Sequence, residues 1–377
     1  MMPEDFKVTP WEVSGNVDYN KLVKDFGTEI IDDAMLKRLQ KHTGDLHFML
    51  KRKVFFSHRD MKWLLDEYEK KNPFYLYTGR GPSGHTHIGH LVSWVFTRWL
   101  QEKFKCKLTF QLTDDEKFLF KQNLSLEQAN KYAYENALDL VALGFKPKDT
   151  QLIIDTEYAK TMYPQALRIA KKITLSTAKA AFGFGNDSNL GQIFYTSMQA
   201  VPSFLESVKQ GKNVPCLVTM AIDQDPHFRV ARDVIPKLGY HKPALMHCRF
   251  LPGLGGPGKM SSSAEDSAQS TIYTTDDPKT IKKKINKYAF SGGKVTVEEH
   301  RKHGGNPDID VSYQWLNMFF EPDDGKLKSI HDDYSSGKML TGELKQILIE
   351  KVEAFLTKHQ DAREKAKDKI EDFIVRD

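Results

Sequence analysis

The sequence predicts an α/β fold in which a mainly parallel sheet, covered on both faces, is followed by an α-helical C-terminal part. Three observations carry this. Short runs rich in apolar, β-branched and aromatic residues recur between residues 74 and 246, bounded by glycine or proline. The segments between them place apolar residues at helical spacing. From about residue 278 onward no strand-like run remains, and 312–377 reads as amphipathic helix upon helix.

The chain has 377 residues, enough for two or three domains at roughly 100–200 residues each. Hydrophobic residues make up 40% and charged residues 28%, a globular composition with material for a sizeable core. Collagen, low-complexity disorder and a polar stalk are excluded. No run approaches the roughly 18 apolar residues of a membrane helix, so no membrane partner is expected. Met1-Met2-Pro3-Glu4-Asp5 lacks the basic cap and apolar core of a secretory signal. Fifty-five basic against fifty acidic residues give +5, which permits a nucleic-acid partner without demanding one. The three cysteines, Cys106, Cys216 and Cys248, are odd in number and far apart in sequence. They read as buried free thiols rather than a disulfide or zinc framework, and a reducing, cytoplasmic compartment is expected.

In chain order, Phe6-Lys7-Val8 and Val13 alternate around Pro10-Trp11 and suggest a two-stranded flap, and helical patterns follow near 31–41 and 58–70. Phe74-Tyr75-Leu76-Tyr77-Thr78 is the first strong strand, closed by the glycine turn Gly79-Arg80-Gly81-Pro82-Ser83-Gly84. A helix follows, with Leu91-Val92, Val95-Phe96 and Trp99-Leu100 on one face. Leu108–Thr113 is the second strand. Ser125-Leu126-Glu127-Gln128 opens a helix as a capping box, and Gly144 ends it. Leu152-Ile153-Ile154 is the third strand. Residues 157–210 read as helical, broken by Phe182-Gly183-Phe184-Gly185-Asn186-Asp187. Pro215–Ala221 and Ala244-Leu245-Met246 complete the strands, and the glycine-rich seam Leu251–Ser263 reads as a mobile loop.

Two motifs carry chemistry. His87-Ile88-Gly89-His90 follows a strand and a glycine turn and opens a helix, whose N-terminal N–H groups and dipole attract phosphate. Gly89 allows a nucleotide close to the backbone, and His87 and His90, three apart, share a face. Lys259-Met260-Ser261-Ser262-Ser263 lies in the mobile seam; one lysine and three hydroxyls suit a polyphosphate gripped in the transition state. Each motif alone has an ordinary reading, as a surface histidine cluster or a solvated linker. The pair, in this order at two ends of one sheet, is specific.

That pair resembles the HIGH and KMSKS motifs of class I aminoacyl-tRNA synthetases. More narrowly, Thr78-Gly79-Arg80-Gly81-Pro82-Ser83, Asp114-Asp115-Glu116-Lys117, Ala221-Ile222-Asp223-Gln224-Asp225-Pro226 and Ala289-Phe290-Ser291-Gly292-Gly293 resemble the tryptophanyl-tRNA synthetases of eukaryotic cytoplasmic type, from about residue 6 to the end. Ser262 stands where the general motif has a second lysine, which leaves Lys259 as the only lysine of the loop.

The resemblance implies an N-terminal extension over 1–72, a Rossmann-type catalytic domain over 73–277, a helical anticodon-binding domain over 278–377, and a homodimer. It implies activation of L-tryptophan by ATP, with Mg²⁺ on the phosphates, and transfer to tRNA(Trp). The attacking group is a carboxylate already ionised at pH 7, so alignment and charge neutralisation dominate over base catalysis. Lys259, His87 and His90 are the catalytic candidates; Arg80, Gly81, Gly89, Met260, Ser261, Ser262 and Ser263 join them around ATP. An indole N–H is only a donor, so its pocket needs a buried acceptor. By the same resemblance Tyr77 and Gln111 take the indole nitrogen, and Glu116, Gln199 and Gln224 hold the α-ammonium group. Tyrosine is the runner-up substrate, but no carboxylate is evident in the matching strand positions for its phenol. A tRNA-independent adenylating ligase and a non-catalytic RNA-binding relative are the readings from other classes. Lys279, Lys282, Lys283, Lys284 and Lys287 form a candidate phosphate-binding cluster.

Overall fold

The structure is a computed structural model, and it describes residues 7, 8, 13–15, 17–259 and 269–377. Strands β1 (Lys7–Val8) and β2 (Val13–Ser14) pair antiparallel, with Val8 opposite Val13, as the flap expectation requires. Phe6, Pro10 and Trp11 lie outside the described residues.

The central sheet has eight strands: β3 (Glu29–Ile30), β4 (Phe55–Arg59), β5 (Tyr75–Arg80), β6 (Leu108–Leu112), β7 (Thr150–Ile154), β8 (Cys216–Ala221), β9 (Ala244–Cys248) and β12 (Ile374–Val375). Their order is β12-β7-β6-β5-β8-β9-β4-β3. The six strands from β12 to β9 run parallel; β4 joins β9, and β3 joins β4, antiparallel. All five strands expected from the apolar runs are present. The chain winds outward from β5 to β6 and β7, then returns to place β8 on the other side of β5. The winding therefore reverses between β5 and β8, and a crevice at the carboxyl ends of these strands is the natural ligand site.

Two edges correct the sequence reading. β4 is fed by only three apolar residues, Val54-Phe55-Phe56, flanked by Lys51-Arg52-Lys53 and His58-Arg59, so local patterning gives it no strand signal. Pairing with β9 creates it. At the other edge, β12 is a strand in a region read as purely helical. Two residues have no periodicity; Ile374 and Val375 become a strand by pairing with Leu152 and Ile153 of β7. The sheet thus draws strands from all three expected segments.

Helix ends follow local chemistry. Ser125 caps helix Leu126–Ala142, with Gln128 N–H donating to Ser125 Oγ and Ser125 N–H to Gln128 Oε1. Gly144, at φ +90°, supplies the left-handed turn behind it. The helical reading of 157–210 resolves into helices Ala159–Ala170, Leu175–Phe182, Leu190–Ala200 and Leu205–Gln210. Cys106, Cys216 and Cys248 are buried free thiols. No helix among the described residues is long and apolar enough to cross a membrane.

The C-terminal helices are bolted to the body by polar contacts, one of them fully buried. On helix Thr341–Ala366, His359 Nε2 lies 2.9 Å from Asp139 Oδ1, and Arg363 Nη2 donates to Glu135 Oε2 at 2.5 Å. Arg52 donates to the Asp324 carboxylate at 2.6 and 2.9 Å and to the carbonyls of Asn317 and Glu321.

Candidate active site

The floor of the crevice is a diagonal of three side chains, two on adjacent parallel strands and one just past the end of a third. Gly79 of β5 registers with Gln111 of β6, so Tyr77 is the diagonal neighbour of Gln111 on the same face. Gln111 registers with Ile153 of β7, which makes Asp155, just past that strand, the next diagonal neighbour. The Tyr77 hydroxyl lies 2.5 Å from Gln111 Oε1 and 2.9 Å from the Gln199 carbonyl oxygen, so its one proton is shared between two acceptors. Gln111 Nε2 donates to both oxygens of Asp155 at 2.9 Å. All three side chains are buried. Burial, with Asp155 and Glu116 nearby, pushes the Tyr77 phenol far up, so it stays protonated. The oxygens of Tyr77 and Gln111 together offer lone pairs in an apolar setting. Phe228 meets the Tyr77 ring edge-on at 5.8 Å. At Gly79 an added Cβ would stand 2.8 Å from the Gln111 carbonyl oxygen, so only glycine lets β5 pass β6 this closely.

The rim carries the charges. Glu116 accepts from Thr113 Oγ1 at 2.6 Å and from Lys117 Nζ at 2.5 Å. Burial alone would raise its carboxyl, but Lys117 and Thr113 hold it below its ordinary value, so it is ionised at neutral pH. Gln199, the penultimate residue of helix Leu190–Ala200, has a buried Oε1 without a hydrogen-bond partner. Gln224 ends the 3₁₀ turn Ile222–Gln224 after β8. Asp225, next in the chain, is clamped by Arg59 Nε and Nη2 at 2.8 and 2.9 Å and by His247 Nε2 at 3.1 Å. That clamp fixes where Gln224 leaves the sheet.

The phosphate side is built on the glycine turn. Arg80 Nε donates to Asn136 Oδ1 at 3.2 Å, while its buried Nη2 lacks a partner. Burial lowers Arg80 to about 10, which leaves it charged. Gly81 packs against Lys117 and Glu116 so tightly that an added Cβ would meet Lys117 Cε at 2.0 Å. His87 caps helix Ile88–Phe104, its N–H donating to His90 Nδ1 at 3.1 Å, and the two rings stack 3.5 Å apart. Gly89 sits in the first turn. The sequence expectation that both histidines share a face is met.

The second motif enters through the hairpin of β10 (Pro252–Gly253) and β11 (Gly256–Lys259). The backbone of Lys259 ends β11. Its side chain, with Met260, Ser261, Ser262 and Ser263, lies outside the described residues. Beyond them the chain returns to the first motif: Ile88 N–H donates to the Ile272 carbonyl at 3.1 Å, and His87 bridges to Tyr273.

Of the lysine cluster, Lys279, Lys282, Lys283 and Lys287 line the exposed side of helix Pro278–Tyr288. Lys284 does not join them. Its ammonium is half-buried, donating to Asp276 at 2.6 Å and to the Thr271 carbonyl at 2.8 Å.

Sequence reasoning missed Asp155 and its neighbour Asp115. The signal was present: an acidic residue directly after the apolar run Leu152-Ile153-Ile154, at the carboxyl end of a parallel strand. The carboxyls of Asp115 and Asp155 are close neighbours, each perturbing the other. Burial, then the neighbouring carboxylates, raise both, Asp115 to about 7 and Asp155 well above its ordinary value. Two carboxyls in contact away from water cannot both ionise cheaply, so they share a proton. A cavity of about 240 Å³, lined in part by Leu119, Tyr163, Tyr195 and Met198, adjoins the pair.

This geometry coincides with a known family. Residues 69–357 match the model for class I tRNA synthetases of the W and Y type. The chain belongs to that family of class I synthetases. Comparison with individual relatives narrows it. A tryptophan–tRNA ligase of Sulfolobus acidocaldarius is 54% identical over 374 residues, covering 99% of this chain and 96% of the relative. The crystal structure of Plasmodium falciparum tryptophanyl-tRNA synthetase superposes with a TM-score of 0.89 at 45% identity, covering 95% of this chain and 97% of that one. That from Aeropyrum pernix superposes at 0.86 with 30% identity, covering 96% and 97%. Within the family, the chain groups with the tryptophanyl-tRNA synthetases.

Proposed function

We infer that the protein is a tryptophan–tRNA ligase. It activates L-tryptophan with ATP to tryptophanyl-adenylate and pyrophosphate, then transfers the aminoacyl group to the terminal adenosine of tRNA(Trp). Full-length relatives with that activity support the reaction, and the observation that carries the amino-acid choice is the buried pair of acceptor oxygens on Tyr77 and Gln111. A donor-only N–H finds two partners there, and a tyrosine phenol finds no carboxylate of its own, because Asp155 is already engaged by Gln111 and Asp115.

In this reading the ionised Glu116 takes the α-ammonium group, with the side-chain oxygens of Gln199 and Gln224. The tryptophan carboxylate then lies toward the glycine turn. One of its oxygens attacks the α-phosphorus, and the bond from that phosphorus to the bridging oxygen of pyrophosphate breaks. No proton moves in this step, so the protein's task is alignment and charge. Arg80 offers its buried Nη2 to phosphate or ribose. His90 Nδ1 is already an acceptor for His87 N–H, so donation to phosphate falls to Nε2. The substrate is the magnesium complex of ATP, whose metal neutralises polyphosphate charge. Gly81 and Gly89 leave room for the nucleotide, and Lys259, Met260, Ser261, Ser262 and Ser263 are the residues assigned to its phosphates.

The proposal extends to a homodimer acting in the cytoplasm, with 278–377 reading the anticodon and Lys279, Lys282, Lys283 and Lys287 meeting tRNA phosphates. The kinship to the eukaryotic cytoplasmic type rests on 45% identity to the Plasmodium chain, while the archaeal relative is closer, at 54%. Editing needs no separate site, because smaller side chains forfeit both burial and the hydrogen bond. ATP–pyrophosphate exchange measured against all twenty amino acids tests the reading: exchange with tryptophan alone is expected, and exchange with tyrosine at a comparable rate overturns it.

A further inference from the structure

Gln111 can serve as an indole acceptor only in one of its two amide orientations. Rotated by half a turn, it would present an NH₂ group to the pocket and repel the indole N–H. Tyr77 does not fix this choice, because its hydroxyl both donates and accepts and would adapt to either face of the amide. The group that does fix it stands on the other side. Asp155 is buried, lies one diagonal step further along the sheet, and holds both oxygens 2.9 Å from Gln111 Nε2.

We propose that Asp155 is a positioning residue for tryptophan selection: it locks the Gln111 amide with its carbonyl oxygen facing the pocket, and so decides that the site accepts an N–H donor. Its assigned role is on the amide rather than on the substrate. It acts through Gln111. The proposal rests on the reading that Gln111 and Tyr77 receive the indole nitrogen.

Asp115 completes the device. A carboxyl at 155 that carried its own proton on the Gln111 side could donate to Gln111 Oε1 and invite the flipped amide. The contact with Asp115 places the shared proton between the two acids, which leaves lone pairs of the Asp155 oxygens turned to Gln111 Nε2. The other ionisable groups around the pair are Asp114 and Glu116 on helix Asp114–Phe120, Tyr77 on β5 and Tyr195 on helix Leu190–Ala200. Gln111 Nε2 donates to Asp155 and to none of these groups.

The test compares tryptophan with its isostere in which sulfur replaces the indole N–H, the benzothienyl analogue of the amino acid. The readout is kcat/KM in pyrophosphate exchange for each substrate, and their ratio, in the full-length protein. Asp155→Leu removes the acceptor while keeping a branched side chain; about a tenfold or greater fall in the ratio is expected, carried by KM for tryptophan with kcat nearly unchanged. Asp155→Ala, which relieves the acid pair without adding bulk, serves if the leucine variant does not fold, and the same fall is expected. Asp155→Asn is the partial rescue: one of the two oxygens bound to Gln111 Nε2 stays an acceptor while the other becomes an NH₂ available to Asp115, and the ratio should lie clearly above that of both truncations.

A parental ratio in Asp155→Leu or Asp155→Ala overturns the proposal. So does an Asp155→Asn ratio as low as theirs, since a lost acceptor would then not be the cause. Gln111→Ala separates the two layers. If it leaves the ratio unchanged, the pocket reading itself is wrong and the proposal falls with it. If Gln111→Ala lowers the ratio and the Asp155 truncations do not, the pocket stands and Asp155 is only packed beside it.

Discussion

Thr274 binds the Thr86 carbonyl oxygen twice, through its backbone N–H at 3.0 Å and its Oγ1 at 3.2 Å. Thr86 directly precedes His87, and Thr274 lies a few residues after the loop begun by Lys259. The chain downstream of the second motif is therefore stitched, at Thr274, to the start of the first. Thr274→Val removes only the hydroxyl bond from a fully buried position. It should destabilise the fold by about 1 kcal/mol and raise KM for ATP without changing tryptophan affinity. Thermal unfolding and substrate titrations measure both; a changed tryptophan affinity with unchanged ATP affinity contradicts the stitch.

Lys259→Ala should leave tryptophan binding nearly intact and slow adenylate formation strongly. A lysine on a loop contributes most when charge redistributes on the phosphates in the transition state. Calorimetric titration and a single-turnover assay separate the two steps. An unchanged rate constant for adenylate formation would remove Lys259 from the mechanism.

Tyr77→Phe deletes one of the two acceptor oxygens and leaves the ring against Phe228. Tryptophan affinity should fall by about 1–3 kcal/mol, while ATP affinity holds. Isothermal titration with each ligand decides it, and equal losses for both would point to a general distortion of β5.

The acid pair predicts a pH dependence. Asp115 is raised to about 7 by burial and by its carboxylate neighbours, and Asp155 is raised as well. The folded protein therefore keeps a proton that the unfolded chain releases near pH 4, and its stability declines as pH climbs from there toward about 7. Asp115→Asn removes one of the two raised carboxyls and relieves the other, while keeping a donor for Asp155. The variant should melt like the parent near pH 4 and at a higher temperature than the parent at pH 8. A parent and variant that fall in parallel between those values would locate the proton elsewhere.

How much of this was legible beforehand depends on the range of the interaction that creates each feature. β5, β6 and β8 are written in consecutive residues, as in Leu108-Thr109-Phe110-Gln111-Leu112, and a local pattern suffices to find them. β4 and β12 exist because β9 and β7 offer unpaired edges, and no window around Phe55 or Ile374 contains that information. The same holds within the site. Gln111 stands out as a polar residue inside an apolar strand. Asp155 gains its role only from a diagonal contact between strands separated by some forty residues of chain. Lys284 shows the converse: it shares its segment with four exposed lysines, yet Asp276 and the Thr271 carbonyl claim it for the fold.

The N-terminal hairpin supplies the last prediction. A two-stranded hairpin is marginal by itself, so β1 and β2 need a surface to rest on. Val8 has one: it packs with Val17 and Tyr19 on the cluster of Leu22, Val23, Phe56, Ile222 and Phe250. Ile222 is two residues from Gln224, and Phe250 N–H donates to Tyr19 Oη at 3.0 Å just before the hairpin that carries Lys259. The flap is thus seated at the rim of the crevice, on residues that lead into both the ammonium subsite and the second motif. A lid in that place would cover the nucleotide and exclude water from the phosphates. Deleting residues 1–16 removes both strands but spares Asp18, which caps helix Tyr19–Phe26, and the buried Leu22 and Val23 of that helix. The shortened chain should therefore stay folded and bind tryptophan, yet lose most ATP affinity and adenylate formation. Circular dichroism, tryptophan titration and pyrophosphate exchange report these in turn. If ATP affinity and exchange survive the deletion, the hairpin is a tail resting on the cluster and closes nothing.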